Sequence, residues 1–234
     1  MKKQEQITEM FNKIEPSYDF LNHFMSFGID NKWRKRAISF LKEIKKPVLL
    51  DVATGTGRMV SEMIKLKPVS IYAIDPSIYM LNSMIMRLKR RNKFDDFLFP
   101  SINEAEKLPF KNNFFSAVTV AFGVRNFQNL EVGLKEIFRV TKPGGLVIIL
   151  ELTMPSNSYI RKIYKFYLSK IVPFWGGLIS RNRQAYKYLS DSIQKFPDGA
   201  EFEKILSHSG LRPLKCIRMT FGIATIYVAE KPLQ

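Results

Sequence analysis

The chain of 234 residues has one cysteine, Cys216, and two histidines, His23 and His208. A lone thiol excludes an internal disulfide and suits a reducing compartment, and so few soft ligands leave no expectation of a metal site. Acidic residues are also scarce: 21 Asp and Glu against 37 Lys and Arg give a net charge of +16. An anionic partner, nucleic acid or membrane, therefore competes with simple solvation of Lys-rich helix faces. No apolar run reaches the ~18 residues of a membrane span, and the opening Met1-Lys2-Lys3-Gln4-Glu5 lacks the apolar stretch of a signal peptide, so a cytoplasmic location is expected. There is no repeat, low-complexity tract or Gly/Ser linker to mark a boundary, and a single domain over 1–234 is expected.

The apolar periodicity begins helical. Ile7, Met10, Phe11 and Ile14 share one face of a first helix, and Trp33, Ala37, Phe40, Leu41 and Ile44 one face of a second. From Pro47 short apolar runs alternate with amphipathic stretches, the pattern of a parallel sheet made of βαβ units. Strands are predicted at Val48 to Val52, Ser70 to Ile74, Asp96 to Phe99, Ser116 to Ala121 and Gly145 to Glu151. Helices are predicted at Met59 to Leu66, Tyr79 to Arg90 and Leu130 to Thr141. A helix-like stretch from Tyr159 to Val172 is expected to break at Pro173-Phe174-Trp175-Gly176-Gly177. A helix from Ala200 to Ser209 then leads to an antiparallel pair, Pro213 to Met219 and Ile223 to Val228. The regions divide into a helical cap (1–46), a cofactor-binding core (47–152), a helical substrate lid (153–210) and terminal strands (211–234).

Ligands of open parallel sheets sit outside the carboxyl ends of the strands, so the loop leaving the first strand, Asp51-Val52-Ala53-Thr54-Gly55-Thr56-Gly57, is the first candidate site. Its glycines let the backbone approach a ligand and turn into a helix whose N-terminus favours an anion. Asp75, about 20 residues on, can accept from two ribose hydroxyls. Two glycines alone equally mark an ordinary turn. A nicotinamide dinucleotide stays conceivable, yet the third glycine of Gly-x-Gly-x-x-Gly is missing and Asp51 would repel phosphates. The amino-acid head of S-adenosylmethionine suits the loop better. Glu104 and Ala105, in the loop after the third strand, are candidates for the adenine, with Ile78 and Met80 as flanking side chains or plain core.

Two blocks carry a family resemblance: Tyr18-Asp19-Phe20-Leu21-Asn22 with Ser26-Phe27-Gly28 and Trp33, and Arg139-Val140-Thr141-Lys142-Pro143-Gly144-Gly145 running to Leu150-Glu151. Ala121-Phe122-Gly123-Val124-Arg125-Asn126 and Tyr186-Lys187-Tyr188-Leu189-Ser190-Asp191-Ser192-Ile193 add two more. Through them the chain resembles the ubiquinone/menaquinone biosynthesis C-methyltransferase family over nearly its whole length. The resemblance implies a Rossmann-like class I methyltransferase sheet of seven strands, the last antiparallel, with N-terminal helices and a helical insertion before the final strands. It implies methyl transfer from S-adenosylmethionine, without a metal, to a ring carbon of a polyprenylated quinol: demethylmenaquinol first, a benzoquinol as the alternative. Carried over by position, Thr56 is a loop contact to the cofactor, Asp75 the ribose ligand and Glu104 with Ala105 the adenine pair, beside Asp51, Gly55, Gly57 and Ala121. The chain departs from the family at Ala53 and Thr54, where Gly is usual, at Glu104 for Asp or Asn, at Ala121 for Ser, and at Arg58 for an acid.

A sulfonium methyl is already electrophilic, so the remaining task is to align it with the ring carbon and to stabilise the phenolate, whose proton leaves with a pKa near ~10. Arg125 with Asn126 is the candidate for that stabilisation. A guanidinium cannot act as the base, and the competing reading of Arg125 is a structural ion pair. Asp19, Tyr18 and Tyr188 are further candidates for hydroxyl and lid contacts. Arg161, Lys162, Lys165 and Lys170 alternate with Ile160, Ile163, Tyr164, Phe166 and Tyr167. This basic amphipathic helix suits peripheral contact with anionic lipid at the inner face of the membrane, or else a lid or a dimer face. Nucleic acid is not expected, since no base-handling motif accompanies the charge. A methyltransferase of RNA and a cofactor-silent subunit of a quinone-synthesis assembly remain the competing hypotheses, and a homo-oligomer is open.

Overall fold

The computed structural model describes residues 5–15, 26, 28–180 and 182–233. Short runs, buried on both faces in β1, β2 and β4, give five mutually parallel strands: β1 Val48–Val52, β2 Ser70–Ile74, β3 Leu98–Ser101, β4 Phe115–Ala121 and β5 Thr141–Leu152. β7 (Ala224–Glu230) runs antiparallel to both β5 and β6 (Arg212–Met219). The order across the seven-stranded sheet is β3-β2-β1-β4-β5-β7-β6. This is the expected Rossmann-like sheet. The chain winds outward from β1 to β3 and returns to β4 on the other side, so a crevice opens at the carboxyl ends of β1 and β4.

Helices α2 (Asp30–Ser39), α3 (Arg58–Met63) and α4 (Ile78–Arg90) cover one face through Trp33, Ala37, Met59, Met63, Leu81 and Met84. Helices α5 (Leu130–Val140) and α9 (Ala200–His208) cover the other through Leu134, Ile137, Phe202 and Leu206. The side chains of Ser77 and Asn129 cap α4 and α5 by accepting from backbone N–H groups. Helix α1 (5–15) and the insertion α6 (Ser158–Phe166), α7 (Val172–Ser180) and α8 (Arg183–Lys195) build a third cluster around Ile14, Tyr164, Leu168, Val172, Tyr186 and Ile193.

Three expectations are corrected. The Pro173 to Gly177 segment does not end the helix but lies inside α7. A π-helical turn, Tyr167–Ile171, precedes it, so Pro173 falls in the first turn after a change of helix type, where a missing N–H costs least. Gly176 is a packing residue, because a Cβ there would come within 2.3 Å of the Tyr186 ring. Helix α2 stops at Ser39, so Phe40, Leu41 and Ile44 pack from the turns beyond it. β3 runs two residues later than predicted, since Leu98 N–H closes a turn onto Asp95 O, and β3 is an edge strand that tolerates Pro100.

Candidate active site

The loop after β1 is braced from below. Asp51 is buried, and its two oxygens accept the hydroxyls of Thr54 and Thr119. Burial pushes its carboxyl up to about 6, against those bonds and the nearby Arg34 charge. Ala53, in the left-handed region at φ +54°, packs where a Cβ on Gly123 would lie only 2.6 Å from its own, so Gly123 makes room for the alanine. Gly57 (φ +74°) begins α3 against Met84. Thr54 N–H donates to Ile74 O and ties the loop to β2.

Above this loop lies a cleft of about 70 Å³. Of the residues expected to bind cofactor, Gly55, Asp75, Glu104, Ala105 and Ala121 line it, whereas Asp51, Thr56 and Gly57 do not. Those three shape the loop from behind instead: Asp51 is spent on the two threonines, Thr56 is buried in the turn, and Gly57 is backed by Met84. Asp75 accepts from Gly55 N–H at 2.8 Å and Ser77 N–H at 2.9 Å, and burial pushes its carboxyl up to about 6 in spite of them. Each oxygen keeps acceptor capacity for a ribose hydroxyl. Met80 also lines the cleft, while Ile78 is exposed and does not. The roof, which sequence reasoning missed, is α1: Ile7, Thr8 and Phe11 close over the cleft. Ser77 and Ser83 donate to Asn12 and Glu15, fastening α1 to α4. The apolar face of α1 was legible, but what it covers was not.

Beside the cleft is a larger chamber of about 330 Å³, walled by α1, α2, the insertion and the carboxyl ends of β4 and β5. Phe11 and Phe122 line both spaces and mark their junction. The chamber is apolar apart from a few groups. Arg125 pairs with buried Glu151 and donates to Phe122 O at 2.7 Å, and its buried Nε–H has no acceptor among the described residues. Burial holds the Glu151 carboxyl above its ordinary value although Arg125 opposes this. Tyr188, a chamber residue, donates to Asn126 in the cleft wall at 3.1 Å, a bridge between the two spaces. Arg125, Asn126 and Tyr188 are thus brought together, while Asp19, Tyr18 and His23 lie outside the described residues. Glu151 was visible only as a strand end, because its partner is 26 positions away. Among the described residues no cluster of His, Cys, Asp or Glu could hold a metal ion.

A small cleft with buried Asp75 at the strand ends, sharing Phe11 and Phe122 with a large apolar chamber, is an arrangement for two ligands. The model of the ubiE/COQ5 methyltransferase family matches residues 1–231. This chain belongs to that family. A demethylmenaquinone methyltransferase of Bacteroides fragilis is 39% identical over 231 residues, covering 98% of this chain and 94% of the relative. A ubiquinone/menaquinone biosynthesis C-methyltransferase of Geobacter sulfurreducens is also 39% identical, covering 99% and 91%. Solved structures share the fold at low identity. The [4+2]-cyclase SpnF superposes with TM-score 0.73 at 14% identity, covering 100% of this chain and 97% of its own. An S-adenosylmethionine-dependent methyltransferase of Aquifex aeolicus gives 0.58 at 17%, covering 84% and 89%. The family and its fold imply S-adenosylmethionine, and the cleft fits its nucleoside. Asp75 offers two acceptors, Ala105 and Met80 offer apolar contact, and at Gly55 there is open space, with nothing within 4 Å of a would-be Cβ.

Proposed function

We propose that this methyltransferase alkylates a ring carbon of a polyprenylated naphthoquinol, demethylmenaquinol, to give menaquinol, with S-adenosylmethionine as donor. The observation that carries the reading is the apolar chamber, joined to the cofactor cleft at Phe11 and Phe122, with a buried arginine N–H that lacks an acceptor among the described residues. Bound S-adenosylmethionine supplies an electrophilic methyl. Asp75, Glu104 and Ala105 hold its nucleoside, and the chamber takes the quinol ring and excludes water. As a quinol hydroxyl gives its proton to solvent at the chamber mouth, charge moves onto the ring carbon and Arg125 stabilises the phenolate through its Nε–H; methyl transfer would release S-adenosylhomocysteine, and the ring carbon's own proton would leave to solvent as aromaticity is restored. Glu151 fixes the guanidinium in place, and the Tyr188–Asn126 hydrogen bond sets the chamber wall against the cleft.

The chamber also suits a substrate delivered from a bilayer. No helix among the described residues is long and apolar enough to cross a membrane. Ile163 both lines the chamber and is 58% exposed, so it stands at a mouth. In the same insertion Tyr159, Phe166, Phe174, Trp175 and Leu178 are exposed, as are Arg161, Lys162, Lys165 and Lys170. Exposed apolar and basic side chains on one insertion suit an anionic lipid surface, each basic residue contributing about 1 kcal/mol near it.

Purified protein given methyl-labelled S-adenosylmethionine and demethylmenaquinol in anionic vesicles should yield labelled menaquinol. Label appearing only in a benzoquinol acceptor would change the substrate. No labelled lipid from folded protein that binds the cofactor would overturn the reading.

A further inference from the structure

The block that begins at Arg139 marks the family in the sequence, yet Arg139 lines neither the cleft nor the chamber. Its side chain leaves the last turn of α5 and reaches the loop between β3 and β4. Five hydrogen bonds use the five N–H donors of its guanidinium. Nε and Nη2 donate to the two oxygens of Glu136 at 2.6 and 2.8 Å, a bidentate fork. Nη2 also donates to Leu108 O at 2.9 Å, and Nη1 donates to Phe110 O at 2.6 Å and to Asn112 Oδ1 at 2.9 Å. Glu136 Oε2 in turn accepts from Leu108 N–H at 2.9 Å, so the Leu108 backbone is gripped at both its donor and its acceptor. The bonds from Arg139 hold the Glu136 carboxyl below the usual carboxylate range, which keeps the fork charged.

The other end of the same loop is the wall of the cleft: Asn103, Glu104, Ala105 and Glu106 all line it. Ala105 packs on α5, 3.5 Å from where a Cβ on Gly133 would stand, and Glu106 accepts from Asn129 N–H at 3.1 Å at the head of that helix. The loop is therefore laid along α5 from Asn129 to Arg139, and the two residues assigned to the adenine, Glu104 and Ala105, stand a few positions before the grip on Leu108. A segment without a strand ladder has many conformations, and a ligand that must order it loses affinity; a clamp made in the free protein removes that cost. None of Leu108, Phe110, Asn112, Glu136 and Arg139 lines the chamber.

We infer that Arg139, with Glu136, is a positioning residue for the adenine side of the cofactor cleft: the pair fixes the loop after β3 so that Glu104 and Ala105 are in place before S-adenosylmethionine arrives. The inference rests on the S-adenosylmethionine reading above. Lysine cannot stand in for this arginine, because an ammonium has three donors and no plane, and cannot serve the Glu136 fork and the carbonyls of Leu108 and Phe110 together.

The test is the split between cofactor and quinol parameters in the full-length Arg139→Lys variant. Its calorimetric Kd for S-adenosylhomocysteine should rise about 10-fold, the value for a loop that is in the binding conformation about a tenth of the time, and the KM for S-adenosylmethionine should rise with it. The KM for the quinol and kcat at saturating S-adenosylmethionine should change by less than about 2-fold. Amide hydrogen exchange at Leu108 should quicken in the free variant and slow again when S-adenosylhomocysteine is bound. Glu136→Gln weakens the fork but keeps an acceptor for Leu108 N–H; it should raise the same Kd about 3-fold, and it decides the matter alone if the lysine variant does not fold. An unchanged Kd, or a joint loss in kcat and in the KM values of both substrates, would make the pair a brace of the fold and overturn the inference while leaving the cofactor reading intact. Failure of the unaltered protein to bind S-adenosylhomocysteine would overturn both.

Discussion

The cleft and the chamber meet at two phenylalanines yet are built on different principles. The cleft is made of loops that leave adjacent strand ends under the roof of α1, and its carboxylate is held by backbone N–H donors of those loops, as when Gly55 and Ser77 fix Asp75. The chamber is made of side chains from α1, α2, the insertion and the turn after β6, from Met10 to Ile223, and its strong polar features among the described residues include the Arg125–Glu151 and Arg34–Asp30 pairs. A local frame suits a ligand of fixed shape. A chamber of long-range apolar contacts suits a ligand recognised by size and hydrophobicity, with one charge set where the chemistry needs it.

Substitutions should separate the two spaces. The largest effect is expected from Arg125→Gln, which removes the cation facing the phenolate: kcat should drop about 10²- to 10³-fold, the usual loss for one oxyanion donor. Single-turnover methyl transfer reads this, while titration with S-adenosylhomocysteine should show affinity nearly unchanged; a comparable loss of cofactor affinity would break the division of labour. The converse variant, Asp75→Ala, should weaken S-adenosylhomocysteine binding roughly 100-fold through two lost charge-assisted bonds, with kcat at saturating cofactor changed far less.

Acidity sharpens the comparison further. Because burial raises Asp75 to about 6, its carboxylate gains a proton as pH falls through that value and loses acceptor strength. Cofactor affinity should therefore be flat above about pH 7 and decline by up to about 10-fold per pH unit below 6, measured calorimetrically. Asp51 bears on stability instead. Its folded value lies above the ordinary 3.8, so the folded state holds the proton more tightly, and stability falls as pH rises from about 4 to about 6. Asp51→Asn should flatten that limb and raise stability by ~1–3 kcal/mol at pH 7.5, seen as a higher melting temperature; a lower one would mean that the two threonine bonds outweigh burial. The smallest effect is expected at the bridge, where Tyr188→Phe removes one neutral hydrogen bond to Asn126 and should cost about 1 kcal/mol, a few-fold in kcat/KM.

How much could be read in advance divides along the same line. β1 and β2 fall at their predicted ends, and Gly55, Asp75, Glu104, Ala105 and Ala121 all reach the cleft, because strand periodicity and loop position are local properties. Asp51, Thr56 and Gly57 belong to the same loop but do not line the cleft: a loop has an inner and an outer face, and spacing does not tell them apart. The chamber was legible only in fragments. Nothing in the run Ile7, Met10, Phe11, Ile14 states that one part roofs the cleft and another walls the chamber, and nothing near Arg125 names Glu151. Pro173 and Gly176 read as a break because the π turn before them and the Tyr186 ring against them belong to packing.

The most direct test is a crystal structure of the protein with S-adenosylhomocysteine and a short-chain demethylnaphthoquinol bound together. The expected density has the adenosyl group between Asp75 and Ala105 and the quinol ring in the chamber, one oxygen within hydrogen-bond distance of Arg125 Nε and the carbon to be methylated facing the sulfur past Phe122. A quinol bound outside the chamber, or a ring with neither oxygen near Arg125, would contradict the account.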